Sequence, residues 1–270
     1  MPRNRGYGSG MTAPEFDAAV ARYREAVRSA GLADVGVLAA EVAVEGFRDW
    51  SAFGDLDEVR RWFEEQRAAN TMSVTRIPVS ECRGWHVEEG TGYLRHDSGE
   101  FFAVETVEVT MSATREVGTG GWCQPVMTQV GDDGGILGLV RKRFDGVPHY
   151  LVQAKAEPGN YGLVQLSPAM QATFSNLKRA HGGNLPTYAW FFYPEVPERC
   201  RVLADVWFSE DGGRLFNKRN RGMIVELPPD EDVELVDEYR WVSLWQIKQL
   251  FHEDAWVNPH LFRLISLIGV

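Results

Sequence analysis

Cysteine is scarce in this chain. Cys82, Cys123 and Cys200 stand far apart. An odd, widely spaced set is neither a disulfide framework nor a zinc knuckle, so it predicts the reduced thiols of a cytoplasmic protein. Long apolar runs are absent too. The longest, Leu261 to Val270, is interrupted by Arg263 and falls far short of the roughly 20 residues a spanning helix needs. No membrane association is expected. Residues Met1 to Gly10 lack an apolar core segment, which argues against a secretory signal and predicts a disordered leader. Positive charge is the minority: 28 Lys and Arg against 38 Asp and Glu give a net charge of −10. A general nucleic-acid binder needs a basic face to displace counterions from phosphates, so none is expected. One nucleotide remains compatible, because two or three local Arg or Lys neutralise a diphosphate. His86, His96, His149, His252 and His260 are scattered, with no metal-ligand spacing.

What is present is ordinary globular composition, 44% apolar and 24% charged over 270 residues. Two early stretches read as helices. Thr12-Ala13-Pro14-Glu15 fits a capping box, followed by Phe16, Val20, Tyr23 and Val27 at helical spacing and by Gly31 as a stop. Asp55 with Glu58 opens a second helix, with Leu56, Val59, Trp62 and Phe63 on its apolar face. Leu32 to Gly54 between them is less clearly patterned. Residues 11–72 are therefore expected to form a helical segment, and residues 73–270 a domain of their own.

From Val74 the texture turns strand-like. Candidate strands are Val74–Pro78, Phe101–Met111, Ile136–Phe144, His149–Ala156, Arg201–Phe208 and Met223–Leu227. Asp145-Gly146 between apolar runs is a strong hairpin signal. Helices are expected from Ser167 to Ala180, after Ser243, and from Asn258-Pro259. The expected class is α+β, a mixed β-sheet domain with flanking helices.

Three windows stand out for chemistry. Gln153, Lys155 and Glu157 share one face of a strand, by the two-residue period. The polar residues after them, Asn160, Gln165, Ser167, Gln171, Thr173, Ser175 and Asn176, are all uncharged. A solvated helix face normally carries Lys and Glu. Neutral donors and acceptors suit a pocket that hydrogen-bonds a sugar or a base. The second window, Arg214 to Arg221, concentrates positive charge in an acidic protein. Arg binds phosphate bidentately, so Asn220 and Arg221 suit a diphosphate. The third is the Gly-rich stretch Gly120-Gly121-Trp122-Cys123-Gln124, where Trp122 and Gln124 suit a nucleobase. His181, just past the polar window, is a further acid/base candidate.

Together these stretches resemble the NDP-hexose 2,3-dehydratases of deoxysugar biosynthesis. The resemblance is carried by Ile77 to His86, Leu94 to Phe102, Trp122 to Pro125, Gln153 to Asn160, Gln165 to Thr173, Ser175-Asn176, His181, Asn220-Arg221 and Trp241 to Gln246. It implies a Nudix-like fold and a TDP- or other NDP-4-keto-6-deoxyhexose substrate. The C3 proton, acidified by the C4 ketone, is removed and the C2 hydroxyl leaves. The enol product tautomerises to a 3,4-diketo sugar, without redox cofactor or metal. Lys155 and Glu157, with His181 as third candidate, would handle protons. Gln153, Asn160, Gln165, Gln171, Thr173 and Asn176 would surround the sugar. A hydrolytic Nudix box needs carboxylates on one helix, in the pattern Gly-x5-Glu-x7-Arg-Glu. Counted from Gly159, the first Glu position is Gln165 and the Arg-Glu pair is Thr173-Phe174. No Asp or Glu falls between Glu157 and Glu195, and hard cations need such oxygen ligands. The family is typically about twice this length, with two tandem repeats, so two copies of this chain would restore the pair as a homodimer. A lone repeat is also compatible with an auxiliary binding protein, or with a dehydratase or cyclase acting on a substrate without a nucleotide. After Asn258 the family carries an Arg four positions on, where this chain has Phe262 followed by Arg263.

Overall fold

The structure is a computed structural model describing residues 12–110, 121–130, 134–179 and 182–268. The fold is α+β. Three helices come first: α1 Ala13–Ser29, α2 Val37–Glu45 and α3 Leu56–Ala69. The expected capping box of Thr12 with Glu15 is formed, and the expected helix start at Asp55 has one too, with Glu58. Helix α2 lies in the stretch where no pattern was evident. It is apolar nearly all round, so it carries no amphipathic signature.

The strands are β1 Trp85–Val87, β2 Leu94–His96, β3 Phe102–Val109, β4 Trp122–Gln129, β5 Gly135–Phe144, β6 Val147–Ala156, β7 Val164–Pro168, β8 Met170–Thr173, β9 Arg201–Ser209, β10 Leu215–Phe216, β11 Arg219–Leu227 and β12 Tyr239–Val242. Helices α4 Phe174–Leu177, α5 Leu244–Leu250 and α6 Pro259–Ser266 complete the set. Ser243 and Asn258 cap α5 and α6 through their side chains. Val74–Pro78 belongs to no strand; a 3-10 turn, Val79–Glu81, follows it.

One sheet has the order β1-β2-β3-β4-β10. The other runs β12-β6-β5-β11-β9. Asp145 and Gly146, at φ 47° and 82°, close the β5–β6 hairpin, pairing Phe144 with Val147. Positive φ at both positions is what a two-residue hairpin turn of this hand requires. Past Val140 and Leu151 the two strands part. Strand β7 enters the fork along β6, the chain reverses at the fully buried Ala169, and β8 leaves along β5.

This corrects the helix expected over Ser167 to Ala180. Ser167 is fully buried, and Pro168 ends a strand paired to β6. Residues 170–173 alternate, with Met170 and Ala172 buried and Gln171 and Thr173 partly exposed. The short helix starts only at Phe174, capped by Thr173, whose hydroxyl accepts from the Asn176 N–H at 3.3 Å. The polar residues read as one helix face therefore line a strand and a cap. Likewise Trp122 to Gln124 is strand, not loop, paired across β3.

Strand β5 is buried on both faces. Leu137 and Leu139 join a core with Val59 and Phe63 of α3, Ile247 of α5, and Leu261 and Leu264 of α6. Ile136 and Val140 join Met170, Phe191, Phe192, Met223 and Trp241 on the other side. At Gly138 a Cβ would stand 2.6 Å from the Phe192 ring, so only glycine admits that contact. Helices α1 and α2 pack around Phe16, Val44, Trp50 and Val147. A charged knot ties α2 to the hairpin. Arg141, fully buried, donates to Glu45 at 2.7 Å and Glu41 at 3.0 Å, and also meets Glu226.

Candidate active site

At the open mouth of the fork lies a cleft of about 350 Å³. Three elements of the fork line it: the end of β6 (Lys155, Glu157), β5 (Leu137), and β8 with its cap (Gln171, Thr173, Asn176). The far wall comes from Phe102, the β9–β11 connection (Glu210, Leu215, Lys218, Asn220) and His260 of α6. A larger concavity of about 480 Å³ lies between α3 and β12, around Trp62, Tyr239 and Arg240. None of the candidate residues lines it, so its size alone does not mark it as the site.

The cleft is polar and internally tied. Lys155 Nζ stands 3.3 Å from Glu157 Oε1 and donates to the Gln171 carbonyl at 3.1 Å. Gln171 Nε2 donates to Glu157 at 3.2 Å, while its own side-chain oxygen is buried without a hydrogen-bond partner. A buried amide oxygen left open is costly and suits a donor brought by a ligand. The Thr173 and Ser175 hydroxyls share a hydrogen bond of 2.9 Å. Across the cleft, Glu210 accepts from Asn220 Nδ2 at 2.5 Å and from Arg263. Burial pushes the Glu210 carboxyl up, but Arg263, His260 and Asn220 outweigh it and hold it below the ordinary value. Lys218 donates to Gln129 and lies over the Phe102 ring at 5.4 Å.

The structure thus brings together Lys155, Glu157, Gln171, Thr173, Asn176 and Asn220 of the expected set. Others stand elsewhere. Asn160 donates to the Lys155 carbonyl at 3.2 Å, bracing the loop after β6. Gln165 donates to the Ala255 carbonyl at 2.9 Å. Gln153 sits in β6 between Ser167 and Tyr239. Trp122 donates to Gln124 at 2.7 Å, and Gln124 to the Gly213 carbonyl at 2.8 Å; both are on the five-stranded sheet, outside the cleft lining. Arg221 also lies outside that lining, in a bidentate pair with Asp205 at 2.7 and 2.6 Å. That hydrogen bond holds Asp205 below the usual carboxylate range. His181 and the leader of residues 1–10 lie outside the described residues.

Sequence reasoning passed over Glu210 and His260, and held Lys218 only as part of the basic window. Glu210 immediately precedes the turn before the basic window, and His260 is on the first turn of a helix whose cap was legible. Phe262, where the family carries Arg, stacks on Phe251 with ring centroids 3.8 Å apart, and the neighbouring Arg263 reaches Glu210. Among the described residues, no group of three or more His, Cys, Asp or Glu could hold a metal ion. No helix among them is long and apolar enough to cross a membrane.

The chain is 44% identical over 215 residues to a protein of Amycolatopsis orientalis named dTDP-4-dehydro-6-deoxy-alpha-D-glucopyranose 2,3-dehydratase, covering 78% of this chain and 44% of that one. A Saccharopolyspora spinosa protein of the same name is 37% identical, over 78% of this chain and 42% of its own length. The chain spans less than half the length of these relatives. Among solved structures, a C. elegans Ap4A hydrolase overlays half of the chain and 96% of its own at TM-score 0.30 and 10% identity. A Nudix hydrolase from M. smegmatis overlays 50% of the chain and 81% of its own at TM-score 0.29 and 17% identity. The profile described as NDP-hexose 2,3-dehydratase matches residues 56–268, from α3 through α6 and so across every element that lines the cleft. By that match, the chain belongs to the NDP-hexose 2,3-dehydratase family.

Proposed function

We propose that this chain eliminates the C2 hydroxyl of an NDP-4-keto-6-deoxyhexose, with TDP as the first nucleotide to test. The observation that carries the reading is the pairing of Lys155 and Glu157 at the cleft mouth, faced by neutral hydrogen-bonding residues. A β-hydroxyketone loses water through an enolate. It needs a cation at the C4 oxygen, a proton acceptor for C3 and a proton for the departing hydroxyl. Lys155 is suited to the C4 oxygen, where fixed positive charge is worth most as charge develops. Gln171, Thr173, Asn176 and Asn220 are suited to the sugar hydroxyls. Of the basic window expected to meet the diphosphate, Lys218 and Asn220 line the cleft; Arg221 joins them only by leaving Asp205. The chemistry requires no redox cofactor and no metal.

The proposed active form is a homodimer in the cytoplasm, closed two-fold pairing being the commonest assembly. The commitment of Arg221 to Asp205 favours one other reading, a protein that only binds a nucleotide sugar or acts on a substrate with no nucleotide. Calorimetric titration with TDP and UDP, without metal, separates them. Saturable TDP binding, followed by loss of the C2 hydroxyl in an NMR assay, is expected. Folded protein that binds neither nucleotide refutes the nucleotide-sugar reading.

A further inference from the structure

The cleft holds a proton-handling group that the sequence windows did not contain. His260 is the second residue of α6, and its backbone N–H donates to the Asn258 side chain at 2.9 Å, so the cap fixes where the ring stands. The ring lines the same cleft as Lys155 and Glu157. Its Nδ1 is buried, makes no hydrogen bond, and lies 3.7 Å from Glu210 Oε1. Glu210 is itself buried, its side chain 7% exposed, and it accepts hydrogen bonds from Arg263 and Asn220. An anion is thus fixed behind one ring nitrogen, leaving Nε2 as the nitrogen able to meet a ligand. A base oriented by a second, fixed group is the arrangement that proton abstraction requires.

The charges agree. Burial pushes the His260 imidazole below its ordinary value; Glu210 and Glu157 act upward, Arg263 and Lys155 downward. A neutral imidazole accepts a proton, and Glu210 stabilises the imidazolium that results.

We propose that His260, oriented by Glu210, is the base that takes the C3 proton, while Lys155, held by its pair with Glu157, serves both the C4 oxygen and the departing hydroxyl. The inference rests on the dehydratase reading of this cleft. The C3–H electron pair becomes an enolate on the C4 oxygen beside Lys155. Its return forms the C2–C3 double bond as the C2–O bond breaks, and the hydroxyl leaves as water with a proton from Lys155. The C3 enol then returns its O–H proton to Lys155, and C2 takes the proton held on His260. The product is the 3,4-diketone, both groups are restored, and no oxidant or reductant enters.

The test is NMR of TDP-4-keto-6-deoxyglucose in deuterium oxide with wild type, His260→Gln and Glu210→Gln, each checked for folding by circular dichroism. Wild type should lose the C2 hydroxyl and gain deuterium at C2 of the product. His260→Gln should slow C3 exchange and water loss by at least about 100-fold, with TDP affinity within about three-fold. In Glu210→Gln the acid limb of the pH–rate profile should move to lower pH, because the imidazolium loses its anion. The wild-type profile alone also bears on the matter: it must fall on the acid side with an apparent pKa below about 6.5. A folded His260→Gln that exchanges C3 at the wild-type rate, or a flat wild-type acid limb, overturns the assignment while the dehydratase reading stands. A wild-type protein that binds TDP but neither exchanges C3 nor releases water ends both.

Discussion

The charged knot under α2 gives the sharpest test of how this fold is held. Arg141 is fully buried on β5, and Glu45 is 1% exposed. Burial would lower the Arg141 pKa, but Glu45, Tyr150 and Glu41 raise it, so the guanidinium stays charged. Glu45 accepts from Arg141 at 2.7 Å and from the Tyr150 hydroxyl at 2.6 Å. Glu45→Ala removes both acceptors. It strands the Tyr150 hydroxyl, at about 1–3 kcal/mol for an unsatisfied buried donor, and weakens the compensation of a buried cation, where breaking a pair costs about 3–5 kcal/mol in all. Glu41 and Glu226 remain on Arg141, so about 3–4 kcal/mol is expected, with a fall in Tm of roughly 10 °C. Glu45→Gln keeps only one of the two acceptor oxygens, its NH2 facing the other donor, and should recover only part of that cost. Urea unfolding followed by tryptophan fluorescence reads the difference. A Glu45→Ala protein within about 1 kcal/mol of wild type, at unchanged denaturant slope, would refute the reasoning.

In the cleft, Lys155→Ala and Glu157→Gln should each lower turnover by at least about 100-fold, measured on the 4-keto sugar nucleotide; near-wild-type rates in both would sink the site. Arg221→Ala should weaken TDP binding by less than about three-fold, because the guanidinium is already committed to Asp205; a loss approaching 100-fold by calorimetry would bring Arg221 into the ligand site. His149 is fully buried, accepts the Ala52 N–H at 3.0 Å through Nε2, and burial pushes it down to about 4. Its folded pKa is depressed, so the unfolded chain binds more protons between pH 6.5 and 4. Stability is full above pH 6.5 and falls by about 3 kcal/mol as the pH drops to 4. Denaturation of wild type and His149→Gln across that range should show the steeper slope in wild type, the difference being the His149 contribution.

Much of the scaffold was legible because its signals are local. The capping boxes at Thr12 and Asp55, the Asp145-Gly146 turn and the Asn258-Pro259 start each depend on neighbours within a few positions. Ser167 to Thr173 was misread as helix because its strands are set by the fork between β5 and β6, a tertiary feature no local period records. The cleft was half legible for the same reason. Lys155, Glu157, Gln171 and Thr173 fall in one dense window. Glu210 and His260 each look like an isolated residue until α6 is laid against the β9–β11 connection, where Arg263 joins them.

Strand β11 has a consequence for how this cleft comes into being. It pairs in parallel with β5, joining Ile136 to Arg221, and the His260 wall arrives later still along the chain. Closing such long loops costs entropy before any contact repays it, so the pairing belongs to the slow end of folding. The β5–β6 hairpin can form early from its own turn, but alone it presents only one arm of the fork. Site assembly and global folding should therefore be a single cooperative event. Hydrogen-exchange protection at Gln171 and Asn220 should rise together with that of the β5 core, and no stable partial fold should bind nucleotide.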